Sequence, residues 1–169
     1  MNKKNFVFLV VGIVVLGVIG WIAWPDDKNG VTAGDSADAV VQGALDSDEK
    51  AYDFGTISMA AGNVRHTFAI QNKGEGSVAI SKVFTSCMCT EATLIRGDVR
   101  AGPFGMPGHG SVPSINESLA PGEKAEIEVV FDPAAHGPSG LGRVERVIFI
   151  EKAGERKPFE LRFVATVTP

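Results

Sequence analysis

The sequence predicts an all-β fold, an immunoglobulin-like antiparallel β-sandwich of about seven strands preceded by one transmembrane helix. Three observations lead there. Beyond residue 50, apolar residues alternate with polar ones along several stretches, which is the period of a half-buried strand. Turn-forming residues separate those stretches, and no amphipathic helical pattern interrupts them. An uncharged run from Phe6 to Trp24 stands near the start of the chain.

That run, "FVFLVVGIVVLGVIGWIAW", comes first in order. A helix of this length spans about 28 Å, close to the roughly 30 Å of a bilayer core. Lys3 and Lys4 precede it, and Asp26 and Asp27 follow. Basic flanks stay on the cytoplasmic side, so residues 1–5 read as a cytoplasmic tip and 6–24 as a single-pass signal anchor in the cell membrane. Everything after it is then extracytoplasmic. Trp21 and Trp24 fall where an interfacial aromatic belt forms, and Pro25 stops the helix. The rival is a cleaved signal peptide, whose apolar region is shorter, about 7–15 residues. Its cleavage site would be Val31-Thr32-Ala33, well past the apolar run.

The net charge of −4 is unevenly placed. Residues 25–49 hold Asp26, Asp27, Asp35, Asp38, Asp46, Asp48 and Glu49 against the single Lys28. This stretch reads as an acidic flexible linker, extended by like-charge repulsion. Residues 50–169 balance acids against bases and form the folded domain. No basic stripe interleaved with aromatic residues occurs, which argues against a nucleic-acid partner.

The strands follow in turn. Tyr52–Ile57 is a weak run. In the next, Val64, His66, Phe68 and Ile70 alternate with Arg65, Thr67, Ala69 and Gln71. Val78–Phe84, Thr90–Ile95 and Val144–Ile150 are further weak runs. Ala125, Ile127, Val129 and Phe131 form one strong alternation, and Phe159, Leu161, Phe163, Ala165 and Val167 form another. Asn72-Lys73-Gly74, Pro121-Gly122, Asp132-Pro133 and Ala153-Gly154 supply turns between them. Residues 96–120 are surplus to such a sandwich.

Several of these marks occur together. Phe54-Gly55, the Phe68-x-Ile70-x-Asn72-x-Gly74 strand and turn, Ser86-Cys87-x-Cys89-Thr90, Pro121-Gly122-Glu123 and Phe131-Asp132-Pro133 are the residues concerned. Through them, most of residues 51–167 resembles the bacterial family of domain of unknown function 1573, itself similar to Hydin-type immunoglobulin-like domains. The resemblance implies a fold and an extracytoplasmic habit, but no established activity. The chain departs from the family pattern at Met88, where glycine is usual, and in the inserted "GPFGMPGHG" at 102–110.

The chemistry of the chain is concentrated around its two cysteines. In an extended segment Cys87 and Cys89 point to one side. Their Cα atoms would lie about 6.5–7 Å apart, at or beyond the limit for a disulfide, so a bridge requires a local bend. Two thiolates on one face chelate a soft ion, and Cu(I), which takes two or three sulfur or imidazole ligands, fits best. Met106 and His109 offer a thioether and an imidazole in a Gly/Pro-rich loop, and His136 offers a second imidazole. Cys87, Cys89, His109 and His136 would also make up four ligands for zinc, at a spacing that matches no standard zinc motif. The bland reading makes the cysteines buried hydrophobes and His66 a packed core histidine. A Cys-x-Cys pair without a βαβ setting argues against a thioredoxin-like oxidoreductase.

No nucleophile elbow, zinc-protease helix or phosphate-binding loop is present, so no enzyme is expected. The expectation is a membrane-anchored binding or scaffolding module with a protein partner at the cell surface or in the periplasm. A copper-handling protein and a thiol redox protein are the alternatives.

Overall fold

The computed structural model describes residues 42–109 and 112–169. The anchor expected at 6–24 and most of the acidic linker lie outside them. Among the described residues no helix is long and apolar enough to cross a membrane.

Among the described residues, ten strands form two five-stranded sheets. In chain order they are β1 (Leu45–Asp46), β2 (Ala51–Ser58), β3 (Val64–Asn72), β4 (Val78–Thr85), β5 (Thr90–Arg96), β6 (Val99–Phe104), β7 (Glu117–Leu119), β8 (Lys124–Phe131), β9 (Gly142–Lys152) and β10 (Phe159–Thr168). The first sheet runs β1-β3-β8-β5-β6 and the second β2-β10-β9-β4-β7. All seven stretches picked out by alternation are strands. Two expectations need correction. β1, β6 and β7 raise the strand number from about seven to ten. The pairing is also not wholly antiparallel, because β2 lies parallel to β10.

The alternation works as the pleat requires. Phe68 and Ile70 of β3, Ile127 and Val129 of β8, and Leu161 and Phe163 of β10 are fully buried, each pair two residues apart. A bulge between Ile80 and Lys82 shifts the inward face of β4 to Val83 and Thr85. One buried cluster draws on both sheets, and the rings of Phe131 and Phe163 meet across it at 5.1 Å.

Residues 45–49, assigned to the linker by composition, belong to the domain. Leu45 is buried, β1 pairs with β3, and the Ser47 hydroxyl bonds to the Ala69 carbonyl at 2.7 Å. Asn72 is the reason the chain is held there. Its fully buried amide oxygen accepts from the Ala44 and Gly74 N–H groups, each at 3.0 Å. Its nitrogen donates to the Gly76 and Leu119 carbonyls. Gly74 lies so close to the backbone of Gln42 and Ala44 that a side chain there would collide with both.

β4 sets the long axis of the site. It starts at Val78, beside Gln42, Gly43 and the turn at Lys152–Glu155. Its eight residues then carry the chain about 25 Å to Thr85. The cysteines therefore lie at the end of the sandwich opposite to residue 42.

Candidate functional site

Beyond Thr85 the chain stops being a strand. The Thr90 N–H donates to the Cys87 carbonyl at 3.2 Å, closing a turn. The buried Thr85 hydroxyl sits 2.9 Å from both the Cys87 and the Thr90 carbonyl oxygens, so its hydrogen is shared between them. Both sheets clamp this turn. The Ser86 N–H donates to the Val147 carbonyl, the Val147 N–H donates back to the Ser86 hydroxyl, and the Asp132 N–H donates to the Cys89 carbonyl, all at 2.9 Å.

This bend overturns the extended geometry expected for Cys87 and Cys89. Their Cα atoms are 5.3 Å apart, inside the disulfide range, and the sulfurs are joined as a disulfide. The Met88 side chain between them is half exposed. Because the bridge closes a loop of only three residues, it removes little unfolded-state entropy, worth about 1–2 kcal/mol in the chain-entropy picture. Holding the fold together is thus a minor part of what this bridge can do.

Two further side chains meet the sulfurs. His136 ends the turn begun by Asp132-Pro133, where the Asp132 carboxylate accepts the Ala134 N–H at 2.8 Å. The Ser139 hydroxyl donates to the His136 carbonyl at 2.6 Å. From there His136 Nε2 reaches to 3.1 Å from Cys87 Sγ. On the other side, Arg146 Nε donates to Cys89 Sγ at 3.2 Å. Arg146 falls in the inward phase of β9, between the buried Val144 and Ile148. Partial burial pulls its guanidinium below its ordinary pKa. The Cys89 N–H points at Cys87 Sγ, 3.3 Å away.

Cys87 Sγ, Cys89 Sγ and a ring nitrogen of His136 lie within 4.8 Å of one another, the one such group of cysteine, histidine and acidic residues among those described. His109 is outside it, which leaves the four-ligand zinc arrangement one ligand short. The Met106–His109 loop is nevertheless rooted next door. The Thr85 N–H donates to the Gly105 carbonyl at 3.1 Å, and the Ile115 N–H donates to the Ser81 carbonyl at 2.8 Å. The inserted loop thus leaves and rejoins the sandwich along β4. Within it Met106 is half-buried and His109 exposed.

His66 is not part of this site. Its ring stacks on Tyr52 with centroids 3.6 Å apart, and Nε2 lies 2.8 Å from Glu49 Oε2. It is half-buried, as a packing histidine with one polar partner should be. Sequence reasoning missed Arg146 and Thr85. The signal for Arg146 was present, since a charge in the inward phase of a strand requires a partner.

Residues 45–105 match the family model described as Protein of unknown function (DUF1573). The match includes both cysteines and stops short of Met106, His109 and His136, and it supports the family suggested by the motifs. No curated protein sequence matches the chain. Among solved structures, a protein of unknown function from Porphyromonas gingivalis W83 is similar at 15% identity and a TM-score of 0.52, over 75% of this chain and 48% of that one. This likeness bears on the fold alone. The secreted serine protease VesC from Vibrio cholerae aligns at 12% identity and a TM-score of 0.45, over 76% of this chain and 24% of the protease. A PapD-like domain of human CEP192 aligns at 11% identity and 0.42, over 73% of this chain and 84% of that domain. The chain therefore spans about half the length of the Porphyromonas protein and about a quarter of the protease.

Proposed function

We propose that this chain is a membrane-anchored, extracytoplasmic immunoglobulin-like binding module whose far end takes a soft metal ion, Cu(I), when Cys87 and Cys89 are reduced. The observation that carries the metal reading is the convergence of Cys87, Cys89 and His136 within 4.8 Å. Two thiolates and an imidazole satisfy three-coordinate Cu(I), a soft ion that prefers sulfur. As a disulfide the pair offers no thiolate, so the reading belongs to the dithiol state. The backbone turn needs no rebuilding to chelate, because its backbone hydrogen bonds run through Thr85, Thr90 and Asp132 and do not depend on the bond between the sulfurs.

The uncharged run at 6–24 behind Lys3 and Lys4 supports the anchor. Nothing in this chemistry requires turnover, and we read the module as a binder rather than an enzyme.

The test is a Cu(I) titration of the reduced full chain in detergent against a chromophoric competitor. One tightly held ion per chain, lost in Cys87→Ser and in Cys89→Ser, is expected. Binding that survives both substitutions would remove the site. For the anchor, protease added to spheroplasts should digest the domain, and a protected domain would refute the topology.

A second reading, scaffolding by protein contact, draws on the outer face of the second sheet. There the half-exposed rings of Phe84 and Phe149 stack at 5.0 Å. Phe149→Glu should abolish partner capture while leaving Cu(I) uptake unchanged.

A further inference from the structure

We infer that Arg146 sets the charge the site accepts, so that Cys87, Cys89 and His136 hold a monovalent soft ion in preference to a divalent one. This deepens the copper reading above and rests on it.

The guanidinium is placed as a counter-charge with no anion to counter. Arg65, Arg96, Arg100 and Arg162 each pair with a glutamate. Arg143 and Arg156 stand exposed in solvent. Arg146 does neither. It is half-buried in β9, and its polar contacts among the described residues are Cys89 Sγ at 3.2 Å and the Glu145 carbonyl at 2.8 Å. The Glu145 carboxylate is exposed and lies 3.4 Å from Arg162 instead. A guanidinium stays charged in a protein, and drawing one partly out of water without an anion is unfavourable. A disulfide sulfur and a carbonyl are neutral, so neither supplies that anion. A metal bound by two thiolates can.

The charge left over decides which ion. Two thiolates carry two negative charges, and neutral His136 adds none. Cu(I) leaves the filled site with one net negative charge, which Arg146 balances. Zn(II) has the same filled d shell and one more positive charge, so it leaves the thiolates neutralised and the guanidinium unopposed. Both ions start from the same free site, so this difference of one charge holds whether the cysteines begin as thiols or as thiolates. Near a protein surface, a unit charge this close to another changes an equilibrium by at least about tenfold.

Two carboxylates pull the other way. Glu91 and Asp132 line the depression at Cys89 and attract a dication more than a monocation. Glu91 is exposed and screened by water, and Asp132 is half-buried with one oxygen turned to the Ala134 N–H. Arg146 is the one of the three that bonds to the sulfur, and its charge therefore dominates.

The test uses the full chain in detergent, reduced and kept anaerobic. Cu(I) is offered as its bicinchoninate complex, Zn(II) is titrated by calorimetry, and the quantity read is the ratio of the two affinities. Arg146→Met removes the charge. Arg146→Gln also removes it but keeps a donor for Cys89 Sγ, whereas Arg146→Lys keeps the charge. The Cu(I)-to-Zn(II) ratio should fall by about tenfold or more in the Met and Gln variants, through weaker Cu(I) binding. It should stay within about threefold of the parent in the Lys variant. A fall with Met but not with Gln would assign the effect to the hydrogen bond and overturn the inference. Equal weakening of both ions in a neutral variant that folds by circular dichroism, or failure of both neutral variants to fold, would make Arg146 a packing residue. That result would overturn the inference while the copper reading stands. No Cu(I) uptake by the parent would overturn both.

Discussion

His136 Nε2 lies 3.1 Å from Cys87 Sγ, though 49 positions of sequence separate the two residues. The contact exists because β8 brings Phe131 beside Thr90, so the Asp132-Pro133 turn begins next to the cysteine turn. An exposed imidazole held against a buried sulfur has little to contribute to packing. His136→Ala should therefore leave stability within about 0.5 kcal/mol of the parent. The same substitution should weaken Cu(I) binding by about tenfold or more, as read by competition titration.

Arg146 makes a separate prediction. Its guanidinium sits on Cys89 Sγ and favours that sulfur as a thiolate, which stabilises the dithiol over the disulfide. Arg146→Met keeps much of the stem and removes the charge. The Cys87–Cys89 pair should then become harder to reduce, its potential falling by about 30 mV for each tenfold change in the exchange constant. Equilibration against a thiol–disulfide buffer measures this, and an unchanged or higher potential would show that Arg146 only packs.

Asn72→Ala strips four backbone groups of their partner in a fully buried position. Urea denaturation should show a loss of about 2–4 kcal/mol, since each buried polar group left unpaired costs about 1–3 kcal/mol and part of the segment can reach water. Phe163→Ala, at the contact between the sheets, should cost about 3–5 kcal/mol.

Acid should loosen the start of the domain first. Hydrogen bonds from Lys50 and then Lys73 hold the Asp46 carboxyl well below the usual carboxylate range. A depressed folded pKa contributes stability that is complete above the ordinary value of about 4 and is lost as the pH falls below it. Amide exchange of Leu45 and Asp46 should therefore accelerate between about pH 4 and 2, relative to the core of β8, more in the parent than in Asp46→Asn.

The long strands were legible because alternation at positions such as Phe68/Ile70 and Leu161/Phe163 maps directly onto the pleat. β1, β6 and β7 were not, for local reasons. β1 is two residues in an Asp-rich stretch, β7 is three residues, and β6 reads "VRAGPF", where Gly102 and Pro103 break any period. At the site, the residue types pointed to sulfur chemistry, but the bend at Cys87–Thr90 did not show, because it depends on a buried Thr85 hydroxyl meeting two carbonyls. His136 was named as a candidate on its chemistry alone, and the β8–β9 connection is what delivers it. Met106 and His109 were nearer in sequence, yet their loop supplies neither of the side chains found against the sulfurs.

Two thiolates and one imidazole make up the proposed copper site at the far end of the sandwich. X-ray absorption at the copper edge of the reduced, Cu(I)-loaded full chain reads that ligand set. Two sulfur neighbours at about 2.3 Å and one nitrogen neighbour at about 2.0 Å are expected, with the nitrogen lost in His136→Ala. A third sulfur in place of the nitrogen would move the site to Met106, and a copper shell without sulfur would remove the site altogether.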